Sequence, residues 1–94
     1  MKTLYYGMLE LAVADDVANE FLRMCTEFAN AGRTVDPPVA CYLNAAATSM
    51  SIIVGAGIPV VVADRPFDER EDPPMTLASW EWMKSMTDTL QDEE

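Results

Sequence analysis

The sequence predicts a mainly α-helical small single domain of about three helices, roughly 3–31, 37–54 and 76–91, with one short extended segment near 58–63. Three observations carry that expectation. Large apolar residues step by three or four positions from Leu4 to Phe28, an Asp-Pro-Pro start signal opens a second apolar run at Asp36, and the run from Leu77 to Leu90 repeats the helical spacing. One other arrangement competes with it, an α+β fold in which residues 3–13 form a strand that pairs with 58–63.

In the first element Leu4, Met8, Leu11, Ala14, Val17, Phe21, Met24 and Phe28 form one stripe. Glu10, Asp16, Glu20, Arg23 and Glu27 take the opposite face, and Gly32 stands where a C-terminal cap belongs. Thr3 is the expected N-cap. Asp15-Asp16 is a second natural start, and Tyr5 and Tyr6 suit a strand, which keeps the α+β alternative in view.

The second element begins with Asp36 as N-cap and Pro37 and Pro38 in the first turn, where a missing N–H leaves no hydrogen bond unmade. Val39, Tyr42, Leu43, Ala46, Met50 and Ile53 follow at helical spacing, Gly55 ends it, and Ala45-Ala46-Ala47 is small enough for another helix to approach. Ile58 to Ala63 is β-branched and extended, with Pro59 restricting it to an edge or a strand start. An acidic, proline-bounded loop covers 64–74. Thr76 is the expected N-cap of the third helix, which runs through Leu77, Trp80, Met83 and Leu90 before a short acidic tail at 92–94.

Ninety-four residues, half of them apolar and 23% charged, bound the chain to one globular domain. Sixteen Asp and Glu against six Lys and Arg leave a formal charge of −10, and there is no histidine. An imidazole base or ligand is thereby excluded, and a pI near 4.1 argues against direct contact with nucleic-acid phosphates. A core this small favours self-association, so a homodimer is expected, with seven Met and eight aromatic residues to supply apolar contact surface.

Cys25 and Cys41 are too few for a disulfide framework and are expected to be reduced and buried in a cytoplasmic protein. Lys2 followed by an apolar stretch ending in Ala12-Val13-Ala14 has a signal-peptide outline, but Glu10 interrupts its apolar part. Residues 37–63 carry no charge over 27 positions, enough to span a bilayer. Asn44, Thr48, Ser49, Ser51, Gly55, Gly57 and Pro59 break that run, and flanking cations are sparse, so buried structure is expected there and no membrane partner.

Candidate chemistry is thin. Ile53 to Val60 has the outline of a strand entering a glycine-rich phosphate loop, yet Val60 stands where the third glycine belongs and no Lys is near. The acids of 64–72 lack the spacing and central glycine of a calcium loop. Neither cysteine has a histidine to activate it, and Ser49 and Ser51 have no base in sequence. The chain is therefore expected to be non-enzymatic, without cofactor or metal.

The charge distribution says more. Residues 64–94 hold a net −7 of the total and surround Trp80 and Trp82, which sit two apart and so point to different helix faces. Because Trp is enriched at binding hot spots, one of the pair is expected at an interface. The expected partner-binding residues are Asp64, Asp68, Glu69, Glu71, Asp72, Trp80, Glu81, Trp82 and Asp88. Such a surface attracts a basic groove of the kind found on a larger protein that handles nucleic acid.

By size, acidity and lack of catalytic apparatus the chain is similar in kind to small phage- or plasmid-encoded inhibitors, among them anti-CRISPR and antirestriction proteins. The expectation is an inhibitor or regulator that binds the basic surface of a larger protein. The alternative is a helical antiactivator or immunity-type protein that masks a hydrophobic dimerisation surface of a transcription factor or toxin.

Overall fold

A computed structural model describes residues 1–43, 46–55, 57–66, 68, 70, 73 and 75–93. It shows an α+β fold, with β1 (Lys2–Tyr6), β2 (Leu9–Val13), α1 (Asp15–Asn30), β3 (Thr34–Val35), β4 (Pro38–Leu43), β5 (Ala46–Ser51), β6 (Val54–Gly55), β7 (Val60–Asp64) and α2 (Thr76–Glu93). The main sheet has five strands in the order β5-β4-β2-β1-β7, each antiparallel to its neighbours, and β3 and β6 form a separate two-stranded ribbon.

This corrects the mainly α reading with three helices. The segment 3–31 is not one helix but a hairpin followed by a helix. Gly7, at φ +59°, opens a two-residue turn between Tyr6 and Leu9, a backbone conformation that only glycine adopts without strain. Met8, counted above in the helical stripe, is fully exposed at that turn. The helix starts at Asp15, where two acids in the first turn complement the positive end of the helix dipole. It ends at Asn30, and Gly32 just beyond its cap has a φ of +67° that permits the paired bonds from Gly32 N–H to Ala29 O and from Arg33 N–H to Phe28 O.

The expected helix at 37–54 is instead the hairpin β4–β5, with Pro38 paired to Ser51 and Leu43 to Ala46. In a run without charge, an alternating set (Val39, Cys41, Leu43) fits as well as a helical one, and the sheet supplies strand partners to both sides of β4. Ala45, part of the small-residue patch, lies outside the described residues. The protein is accordingly not a helical one.

The extended segment near 58–63 is the edge strand β7. It pairs with β1, from Lys2 with Asp64 to Tyr6 with Val60, which is the pairing of the α+β alternative carried by the first strand of the hairpin. The third helix forms as expected, although Met75 precedes it and Thr76 is its first residue.

Both helices pack on one face of the sheet. Leu4, Leu11, Val13, Val39 and Cys41 meet Val17, Phe21, Met24 and Phe28 of α1 and Met83 and Leu90 of α2. Full burial of each large aliphatic or aromatic side chain is worth about 1.5–3 kcal/mol, so this face holds the fold together. An ionic chain ties the helices at their surface. Arg23 of α1 donates to Glu20 at 2.5 Å and to Asp88 of α2 at 3.0 Å, and Lys84 donates to Asp88 at 3.0 Å.

Candidate protein-interaction surface

The start of α2 is shaped by its backbone. Met75 takes φ +63°, a left-handed conformation rare outside glycine. Ser79 N–H then closes the first helical turn on Met75 O at 3.1 Å, and the Thr76 hydroxyl donates to Pro73 O at 3.0 Å. This entry turns two large apolar side chains outward, leaving Met75 67% and Leu77 66% exposed.

Trp80 lies one turn beyond Thr76 and is half-buried against the core. With Asp16, Thr76 and Leu77 it lines a concavity of about 410 Å³ between the starts of the two helices. Glu81, exposed, follows Leu77 by four residues and so shares its face of α2. Sequence reasoning missed Asp16 as a site residue. It belongs to α1, and only the packing of the two helices brings it beside Trp80.

Trp82 is also half-buried and also packs on the core. The expectation that the two tryptophans could not both meet the core assumed one buried side. α2 contacts α1 and β4, so more than one of its flanks finds apolar surroundings.

The acids divide into separate places. Asp64 ends β7 and pairs with Lys2, whose ammonium is raised above its ordinary range chiefly by that hydrogen bond. Asp68 accepts from the Arg70 side chain at 3.1 Å and from its backbone N–H at 3.0 Å, and its carboxyl is held below the usual carboxylate range. Asp88 is lowered as well, first by the Lys84 hydrogen bond and then by Arg23. Asp64, Asp68 and Asp88 thus each hold a cation of their own chain, which reduces their pull on an external one. The concavity at Trp80 includes none of them. Glu69, Glu71 and Asp72 lie outside the described residues.

Burial pushes the Cys25 thiol up to about 11 and raises that of Cys41, so neither is a thiolate at neutral pH. Among the described residues no helix is long and apolar enough to cross a membrane. The uncharged run 37–63 is used instead for β4, β5, β6 and β7. Comparison with protein-family models, with curated proteins and with solved structures found no match to this chain.

Proposed function

We propose that the protein is a non-enzymatic, cytoplasmic binding protein that docks on the basic surface of a larger protein, of the kind that handles nucleic acid, and inhibits or regulates it. The supporting observation is the start of α2, where Met75 and Leu77 stand about two-thirds exposed, Leu77 and Trp80 share a concavity with Asp16, and Glu81 lies on the Leu77 face of the helix. An apolar centre with an acidic rim suits a partner patch in which an apolar side chain is flanked by Lys or Arg. Burial of the centre supplies affinity, while the −10 charge of the whole chain accelerates encounter.

A second reading is that the apolar centre alone matters and masks a hydrophobic dimerisation surface of a transcription factor or toxin. The internal pairing of Asp64, Asp68 and Asp88 favours it, since those charges are already engaged.

Capture of the partner from the native host, followed by titration from about 0.1 to about 1 M NaCl, separates the two, because the screening length falls from about 10 to about 3 Å. Docking on a basic surface predicts at least a roughly tenfold loss of affinity across that range and a similar loss in an Asp16→Asn, Glu81→Gln double variant. Apolar masking predicts little response to salt and loss of binding in Leu77→Ser. A partner held at full strength by both variants would refute both readings.

A further inference from the structure

We propose that β5 is the surface through which two copies of this chain join, edge to edge and antiparallel, about a two-fold axis at Ser49. The sheet has two outer strands, and they differ in how they meet solvent. β7 is preceded by Pro59 and ends at Asp64, which is paired with Lys2, so a proline and a charge blunt that edge. β5 reads Ala-Ala-Thr-Ser-Met-Ser, with neither proline nor charge, and the nearest charged residues in sequence are Asp36 and Asp64. Among the described residues its only strand partner is β4. An uncharged strand edge with open backbone groups is a template for another strand.

The hydrogen-bonding phase of β4 identifies which groups are open. Ala40 N–H and Pro38 C=O bond Ser79, on the side away from β5, while Pro37 C=O receives Ile52 N–H on the β5 side. Val39, Cys41 and Leu43 therefore face β5, and their partners Met50, Thr48 and Ala46 face back. That leaves the N–H and C=O groups of Ala47, Ser49 and Ser51 pointing outward. These three positions are symmetric about Ser49. A second copy places Ser49 opposite Ser49, and Ala47 opposite Ser51 twice, so every outward backbone group finds a partner. Their side chains are small and exposed, and no like charges are brought together.

The charge of the chain argues for this occupant. Two molecules of −10 repel wherever their acids meet, and β5 lies in the middle of the 27-residue uncharged run. An isologous two-fold contact requires a self-complementary surface, which this register provides. The inference rests on the sheet alone and is independent of the role given to the start of α2.

Sedimentation equilibrium at about 100 μM, a concentration that reveals dissociation constants in the micromolar range, should return twice the 10.4 kDa chain mass. Raising the salt concentration should tighten the pair, the opposite of its effect on an acid-to-base contact. Ser49→Lys should return the monomer mass with an unchanged circular dichroism spectrum. Ser49→Cys tests the register without disturbing the fold, since directly opposed hydrogen-bonded residues lie about 5.5 Å apart at Cα, within disulfide reach. On mild oxidation it should form a covalent dimer, whereas Val61→Cys on the β7 edge and the unchanged chain should not. A wild-type monomer at that concentration, or cross-linking at Ser49 no better than at Val61, overturns the proposal whatever the folding of the lysine variant.

Discussion

The Ser79 hydroxyl of α2 accepts a hydrogen bond from the Ala40 N–H of β4 at 3.2 Å, and donates to Pro38 C=O at 2.5 Å on the same side of that strand. β2 pairs with β4 only at Ala12 and Tyr42 before the chain turns into α1, so the rest of that side of β4 would have no ladder partner. A helix side chain takes over from the missing strand. This accounts for the buried serine of α2, and it sets the height at which α2 sits on the sheet.

Ser79→Ala should therefore destabilise the fold by about 1–3 kcal/mol, because Ala40 N–H is buried and would be left without a partner. Urea unfolding followed by far-ultraviolet circular dichroism should show a lower midpoint with an unchanged slope. An unaltered midpoint would mean that β4 satisfies its backbone in some other way.

Gly55 closes the β3–β6 ribbon against Thr34. A Cβ at this position would stand 2.7 Å from Arg33 O and 2.9 Å from Thr34 Cγ2, both closer than van der Waals contact. Gly55→Ala should cost about 1–3 kcal/mol as the ribbon is forced apart. Amide exchange at Val35 and Val54 should accelerate more than exchange in the main sheet.

Asp88 joins Arg23 of α1 to Lys84 of α2, and its carboxyl is depressed below its unfolded value. The stability it contributes is present above the unfolded value of about 3.9 and is lost as pH falls through the folded one. Asp88→Asn should lower the melting temperature at pH 7. The two proteins should converge as the pH falls from the unfolded value of about 3.9 through the depressed folded one, where the wild-type carboxyl becomes protonated as well. Parallel curves across that window would show that the bridge does not couple to folding.

Cys25, half-buried, carries a thiol pushed up to about 11 by desolvation, and the buried Cys41 is raised in the same direction. Both should resist iodoacetamide at pH 7 in the native protein and react when it is unfolded in urea. Native Cys25 alkylation should become fast only as the pH approaches about 11, well above the value of about 8.5 at which a free or unfolded thiol ionises. The corresponding stability is full below that unfolded value and is lost as pH rises through about 11. Rapid labelling of Cys25 at neutral pH would contradict the desolvated setting.

Some of the architecture was legible because one residue type settles it locally. Gly32 marks the end of α1, since a left-handed residue after a helix is almost always glycine. The α2 stripe of Trp80, Met83, Thr87 and Leu90 stands out because Glu81, Lys84 and Asp88 interleave it and reveal its period. The hairpin β4–β5 was illegible for the opposite reason. Without polar residues to mark an outer face, Val39 to Ile53 fits a helical and an alternating period alike. Of the candidate site, Trp80 and Glu81 could be read from α2 alone, whereas Asp16 could not.

By itself the sequence determined the amino-acid content on which any function must run. It set an acid-rich chain without histidine, with two thiols, with −7 of its charge after residue 63, and with a long uncharged middle. Only the tertiary structure decided that this middle is sheet. β1 and β7 satisfy each other's backbone groups across some sixty residues of chain, and no local signal records such a partner. The strand order leaves β5 at the rim, and the packing of α1 on α2 brings Asp16 beside Trp80. A strand acquires its hydrogen bonds, and a surface its neighbours, from segments distant in sequence, whereas a helix satisfies its backbone within itself.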